Sequence, residues 1–458
     1  MEGESSAGQL PLRMEGEGSA AAQPHGAAAG SAGEGMAERR RPQTAVHRAP
    51  ERRQVAFKGV AFAQDVNLGA TAPLPEIGNA EFGRAERRAV ADAARRPVAV
   101  AERRFPVPSV ACGSEVPGLV GLQNLGNTCF MNVVVQCLAS LSAFSSFFLD
   151  NHHMFSLDQH SRMKGTLALS FGEVLHKLHS SPALCAVPPA VLKERIGKYA
   201  PQFTGSHQHD AQELLRFLLD GMHEDLRFAR ADLHLLEVEL GEDDSQAEAS
   251  ERASMRFYNG MSSHVLAAFG GQLASTVTCV SCEAKSVTRD PFLDLSLPIP
   301  DEEDSSLVEC LAAFTESELL DGENMYWCSG CAGARAAHKT LRLSHLPSVL
   351  AIHLKRFSYT ETSRKKKTTR ISFPEVGLSL APFASQPFAN HEYDLAALAL
   401  HSGGMAGGHY HALCLREGEI GEDGGGWYHF NDSAVRAKQL SEVDLAEPYI
   451  LFYRRRDS

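Results

Sequence analysis

The stretch Gly118-Leu-Val-Gly-Leu-Gln-Asn-Leu-Gly-Asn-Thr-Cys-Phe-Met-Asn-Val-Val-Val-Gln-Cys-Leu138 constrains the fold more than any other part of this chain. Its second half places apolar residues at Phe130, Val133, Val134, Cys137, Leu138 and Leu141, the spacing of one helix face packed on a core. Cys129 then stands at the N-terminus of that helix. Asn127 and Thr128 are good capping residues, and Gly126 before them lets the backbone turn sharply. A thiol at a helix N-terminus feels the positive end of the helix dipole and unpaired N–H groups, which favour the nucleophilic thiolate. Helix position alone also fits a buried structural cysteine. Asn124, five residues upstream, tips the reading toward chemistry, because a side-chain amide on the loop feeding a nucleophile can donate to a developing oxyanion.

A chain of 458 residues with 43% apolar content can bury a large core, as one big domain or two ordinary ones. No run of about 18 apolar residues exists, so no membrane span is expected. The first residues lack the basic-then-apolar order of a signal peptide, so secretion is not expected. The ten cysteines include two Cys-x-x-Cys pairs, which without an export signal point to metal and catalysis in a reducing compartment, nucleus or cytoplasm. Residues 1–115 are rich in Ala, Gly, Glu, Arg and Pro without apolar periodicity and read as a disordered, low-complexity tail. Its short arginine clusters, such as Arg39-Arg-Arg41, are read as solvated tail before they are read as a nuclear address or an RNA contact. Of the 44 Lys and Arg, 15 fall in that tail, against 14 of the 56 Asp and Glu; the remainder holds 29 and 42, a net charge of −13. An acidic globular part argues against a nucleic-acid enzyme and for a basic or neutral protein partner.

Downstream, Phe171–Leu178 predicts a second amphipathic helix. His207-Gln-His-Asp-Ala-Gln-Glu213 opens a third, with Ala211, Leu214, Leu215, Leu218 and Met222 on one face. Asp210 and Glu213 have the spacing of a capping box, and a capping Asp still has a second oxygen with which to meet an arginine. Residues 230–254 read as an acidic surface insertion. Cys279-Val-Ser-Cys282 and Cys328-Ser-Gly-Cys331 each sit at a turn beside β-type sequence, the pattern of two knuckles sharing one structural zinc ion. From His338 onward the pattern predicts strands at 339–343, 349–357, 371–380, 393–401, 409–415, 427–430 and 449–453, with Lys365-Lys-Lys367 at a solvated hairpin tip. His409 and His411 share one strand face, so spacing does not say which is a base. Phe430-Asn431-Asp432-Ser433 supplies an orienting partner of the kind that thiol proteases use.

Gly121–Asn132, Gln208–Leu214, the two Cys-x-x-Cys pairs, Leu354-Lys-Arg-Phe357, Gly407-Gly-His-Tyr410, Trp427–Asp432 and Tyr449–Arg454 together resemble the ordered motifs of the ubiquitin-specific proteases. The resemblance spans about 118–455 and implies an α+β, papain-like cysteine protease fold: a helical thumb, a β palm, and zinc-bearing β fingers at about 269–345. It further implies a deubiquitinating hydrolase acting after the C-terminal glycine of ubiquitin, with Cys129 as nucleophile, His409 as base, Asn431 orienting it and Asn124 as oxyanion donor. Asp432 shares the orienting or oxyanion role. Gln208, Asp210, Glu213 and Tyr410 match positions lining the channel for ubiquitin's basic tail, and Cys279, Cys282, Cys328 and Cys331 match the ligands of one structural Zn2+. The partners implied are ubiquitin and ubiquitinated proteins, with no membrane, no nucleic acid at the catalytic domain, and a monomer as the expected state. Phe130 stands where Tyr is usual, Asn431 replaces the Asp of many members, and Gly418–Gly426 reads as an inserted hairpin tip. A non-catalytic ubiquitin-binding scaffold of the same fold is the alternative; it would lack the nucleophile or the base. A papain-type protease would not need the double knuckle.

Overall fold

The structure, a computed structural model, describes residues 117–180, 186–232, 245–359, 364–388, 391–404, 407–416 and 425–456. The proposed tail, residues 1–115, lies outside them, as do residues 418–424 of the proposed hairpin tip.

The thumb is helical: α1 (Cys129–Ser140), α2 (Ser142–Leu149), α3 (Thr166–Ser180), α4 (Ala190–Tyr199) and α5 (Ala211–Asp225). Helix α1 begins at the residue the periodicity assigned to it, but its burial is not one-sided. Every residue from Cys129 to Ala139 is buried, because α1 lies between the other thumb helices and the palm sheet. Its buried amides donate inside: Gln136 Nε2 to Val120 O at 3.0 Å, and Asn132 Nδ2 to Asp432 Oδ1 at 2.8 Å, while Asn132 Oδ1 has no partner among the described residues. No single described helix is long and apolar enough to cross a membrane, and the apolar run Cys129–Leu149 is bent by 91° at Leu141. Part of the expected acidic insertion is ordered secondary structure: α6 (Gln246–Phe257) starts at a capping box between Ser245 and Glu248. Acidic composition hid it, since the same Glu that reads as surface is the N3 partner of a cap. The short α7 (His264–Phe269) leads into the sheets.

The fingers are a four-stranded sheet. Strands β1 (Gly271–Cys279), β2 (Lys285–Phe292), β4 (Glu318–Leu320) and β7 (Ala337–His345) take the order β2-β1-β7-β4, while β5 (Tyr326–Cys328) and β6 (Gly333–Arg335) form a hairpin. Strand β3 (Leu295–Leu297) joins the palm, followed by α8 (Leu307–Phe314). After β7, the chain forms β8 (Val349–Leu354), β9 (Phe357–Tyr359), β10 (Arg364–Lys366), β11 (Glu392–Gly403), β12 (Gly408–Arg416), β13 (Gly426–Asn431), β14 (Ala434–Ala437) and β15 (Pro448–Arg455). The eight-stranded palm runs β14-β13-β12-β11-β15-β8-β3, with Leu378–Ser379 pairing β11.

The palm divides two cores by the period-two rule. Ala397, Ala399, Ala412, Cys414, Ile450 and Phe452 face the thumb. Leu398, Leu400, Leu413, Leu451 and Tyr453 face the other side, with Leu307 and Leu311 of α8. Ala399 is opposite Ala412 and Ala397 opposite Cys414, so the floor under α1 is made of small side chains and the helix can approach closely. The lysine run is a correction to the sequence reading. Arg364–Lys366 is a paired strand, Lys366 Nζ donates to His401 O and Gly403 O, and Lys367 Nζ to Ile299 O and Asp301. Three like charges in a row look solvated, yet only Lys365 is exposed, while the Lys366 and Lys367 amines find carbonyls supplied by distant chain.

Candidate active site

The loop before α1 carries Asn124. Its Oδ1 accepts from Gly126 N and Thr128 N, both at 3.0 Å, which folds residues 124–128 into a tight turn with Asn127 at φ +52°. Neither expected cap acts as one. Thr128 Oγ1 accepts from Leu125 N at 2.9 Å, and Asn127 Nδ2 donates to Ser206 O at 2.8 Å. With no side chain capping α1, the N–H dipoles at its start stay directed at Cys129's surroundings.

The ambiguity between the two strand histidines is resolved by their neighbours. His409 Nε2 donates to Asn431 Oδ1 at 2.6 Å, which leaves Nδ1 for sulfur. The Cys129 thiol, followed by the Asn431 carbonyl, pushes the His409 pKa up to about 9 against the opposing effect of burial. His411 instead bonds His429, and burial, aided by neighbouring histidines and Lys438, holds it down at about 3. An imidazole that binds its proton more tightly than usual beside a cysteine is placed to take up the thiol's proton. Among the described residues no hydrogen bond joins Asp432 to His409, whose pKa its charge helps to raise; its Oδ2 accepts from Asn124 Nδ2 at 2.9 Å.

The residues expected to line a channel gather at one end of α5. Gln208 Nε2 donates to Gly408 O at 3.0 Å, next to His409. Asp210 caps α5, accepting from Gln212 N at 2.7 Å and Glu213 N at 3.3 Å, and its other oxygen accepts from Tyr449 OH at 2.5 Å. The N-cap is as expected, but no returning Glu213 bond completes a capping box among the described residues. Glu213 is exposed on the first turn of α5. Tyr410 is buried, with its ring 4.7 Å from His401 and 5.8 Å from Tyr449.

The four knuckle cysteines converge. Their sulfurs lie within 4.8 Å of one another, with Cys279 to Cys331 at 4.0 Å and Cys282 to Cys328 at 3.5 Å. Tetrahedral thiolates about 2.3 Å from one zinc would be separated by about 3.8 Å, so the donor set fits that ion. Each knuckle ends in a residue with positive φ, Glu283 at +58° and Ala332 at +49°, which turns the chain back over its own sulfurs. The set can bind a metal ion.

A family model described as Ubiquitin carboxyl-terminal hydrolase matches residues 120–453. This chain belongs to that family. Human ubiquitin carboxyl-terminal hydrolase 2 is 37% identical over 339 residues, covering 73% of this chain and 55% of the human protein. The chicken protein of the same name is 38% identical over 360 residues, 77% of this chain and 98% of its own. The chain thus spans about half the length of the human relative and nearly all of the chicken one. Among solved structures, the SAGA Ubp8/Sgf11/Sus1/Sgf73 DUB module bound to ubiquitin aldehyde is similar with a TM-score of 0.58 and 29% identity, over 74% of this chain and 70% of that one. The same module bound to monoubiquitin gives 0.58 and 28%, over 83% and 77%.

Sequence reasoning missed two buried charged groups that hold this hydrolase-family fold together. Asp294, buried, accepts from Gln212 Nε2 at 2.8 Å and lies 3.5 Å from Arg216 Nε, tying α5 to the strand leading into the palm. Burial raises its carboxyl above the usual range. Arg356 is fully buried and donates to four carbonyl oxygens: Pro448, Lys367, Thr369 and Leu445. The Leu354-Lys-Arg-Phe357 motif flagged that position, yet nothing local distinguishes a buried Arg from the exposed Lys355 beside it.

Proposed function

We propose that this chain is a deubiquitinating thiol protease, hydrolysing the isopeptide or peptide bond after the C-terminal glycine of ubiquitin. The observation that carries the reading is the convergence of three residues: Cys129 at the start of α1, His409, whose pKa that thiol does most to raise, and Asn431, bonded to His409 Nε2 at 2.6 Å. The Cys129 thiolate attacks the carbonyl carbon of the glycine, forming the C–S bond. The resulting oxyanion is met by Asn124 Nδ2 and the N–H groups at the start of α1. His409 gives its proton to the departing amine as the C–N bond breaks, leaving a thioester. His409 then takes a proton from water, whose oxygen attacks the thioester; the C–S bond breaks and the thiolate returns. Asn431 keeps the imidazole ring in place through both steps.

Gln208, Asp210, Glu213 and Tyr410 line the approach for ubiquitin's basic tail, with the two acidic side chains complementary to its arginines. Cys279, Cys282, Cys328 and Cys331 hold one structural zinc ion, which with four thiolates has no open position for catalysis and serves to clamp the fingers. Ubiquitin and ubiquitinated proteins are the partners, in a reducing compartment, nucleus or cytoplasm. The test is Cys129→Ala against a ubiquitin C-terminal fluorogenic substrate. Loss of turnover supports the assignment. A variant retaining more than a few per cent of the rate, or an inert parent protein that still binds ubiquitin, would replace it with the scaffold reading.

A further inference from the structure

Behind the His409–Asn431 bond lies a second polar pair. His411 Nδ1 and His429 Nε2 are 2.9 Å apart, and both residues are buried. From the register Ala412 opposite Phe430, the pair joins β12 to β13 on the same diagonal as His409 and Asn431. Arg436, the partner of His429 on β14, settles the protons. A guanidinium Nε has only a hydrogen to give, and it gives it to His429 Nδ1 at 3.3 Å. His429 therefore carries its own proton on Nε2 and donates to His411 Nδ1. That places the His411 proton on Nε2, facing Glu447 Oε2 at 3.7 Å. The order of donation is Arg436, His429, His411, and the Glu447 carboxylate faces the last proton from 3.7 Å.

We propose that His411 and His429 are positioning residues for His409, holding its ring and its protonation state from one pleat behind. The proposal rests on the reading of His409 as the proton carrier for Cys129. The His409 and His411 rings lie 6.3 Å apart and nearly parallel at 26°, so a cation on His411 would repel the one His409 must keep. Every group facing His411 bears on that condition: His401 from β11, His409 from its own strand, His429 from β13, Lys438 beyond β14, and Glu447 before β15. Burial is the main reason that His411 stays neutral, to about pH 3, and His429 to about pH 4. Two buried polar rings carry a desolvation penalty that an apolar pair would not. What they supply is a fixed orientation of β12 against β13 at the site where His409 must meet Asn431.

The test compares His429→Phe, which removes donor and acceptor, with His429→Gln, which keeps one of each. Two readouts are taken: kcat and KM on a ubiquitin C-terminal fluorogenic substrate, and the pH midpoint of Cys129 alkylation by iodoacetamide, which needs no ubiquitin. His429→Phe is expected to lower kcat about tenfold with KM within twofold, and to move the alkylation midpoint up by about one pH unit. His429→Gln should recover both to within about twofold. Arg436→Met, at an exposed position, should move the midpoint the same way by a smaller amount and keeps the proposal testable if the Phe variant does not fold. An unchanged alkylation midpoint in His429→Phe, equal loss in the Gln and Phe variants, or an unchanged Arg436→Met would overturn it. Failure of the parent protein to cleave the ubiquitin substrate would instead overturn the proposed function, while the alkylation midpoint would still decide on the histidine pair.

Discussion

The Asp432 carboxylate bridges Asn124 and Asn132: Oδ2 accepts from Asn124 Nδ2 at 2.9 Å, and Oδ1 from Asn132 Nδ2 at 2.8 Å. Its backbone carbonyl also accepts from Leu122 N at 2.9 Å, and a Cβ on Gly121 would lie 2.5 Å from the Ser433 backbone. The turn after β13 is thus clasped against both the loop before α1 and α1 itself. Asp432 adopts φ +49°, a left-handed conformation that Asp tolerates better than most residues. Asp432 thus bonds the loop that carries Asn124 and reaches the His409 imidazole only through its charge, which helps to raise the ring's pKa.

Removing that clasp should act through Asn124. Asp432→Ala is expected to lower kcat by roughly 10²-fold, the scale of losing one oxyanion donor, and Asn124→Ala by a similar factor. Because one group acts through the other, the double variant should be little worse than either single one. Fully multiplicative losses in a double-mutant cycle would show independent roles.

The raised pKa of His409 predicts a basic limb. The imidazolium that protonates the leaving amine is present below about pH 9 and is lost above it, so kcat should fall through that pH. The linkage has the same sign: the folded value lies above the ordinary 6.5, so the stability that the charged ring contributes is complete below 6.5 and disappears as pH rises through about 9. Since the Cys129 thiol is the largest cause, the His409 midpoint followed by NMR should drop in Cys129→Ala. A midpoint still near 9 in that variant would place the cause elsewhere.

Asp210 separates capping from substrate binding. Asn is as good an N-cap as Asp, so Asp210→Asn should leave the melting temperature nearly unchanged, whereas Asp210→Ala should remove about 1 kcal/mol of stability. If the carboxylate meets an arginine of ubiquitin's tail, Asp210→Asn should raise KM by the equivalent of about 1.5–3 kcal/mol. An unchanged KM would leave the residue only its bonds to α5 and Tyr449.

For the knuckles, metal analysis of the purified chain should give about one zinc per molecule. Cys328→Ser should lower zinc content and thermal stability together, because binding energy at a structural site is folding energy. Cys129 should still react with a small thiol reagent while ubiquitin turnover falls. A metal-free protein that is folded and active would exclude the structural-zinc role.

Arg356 should be irreplaceable by lysine. A single ammonium cannot span the carbonyls of Pro448, Lys367, Thr369 and Leu445, and the orphaned oxygens should reduce stability by about 2–4 kcal/mol. Urea denaturation of Arg356→Lys measures this directly.

Sequence alone determined what depends on neighbours in the chain. The start of α1 at Cys129, most of the strand runs and the two knuckles follow from periodicity and turn chemistry over a few residues, and the ordered motifs carried the family. The expected run 371–380 is instead two short strands, Arg370–Ser372 and Leu378–Ser379, and 349–357 breaks after Leu354. Period-two alternation put His409 and His411 on one face but left them equivalent. The tertiary structure separated them, because Asn431 and Cys129 meet one ring and His429 the other. It likewise buried α1 on all sides, turned a lysine run into a paired strand, and gave the Asp432 carboxylate to Asn124, 308 residues away. Backbone preference and amphipathic spacing are local, so they are written in short windows. Which donor meets which acceptor depends on the packing of the whole α1–palm interface, and no window contains it.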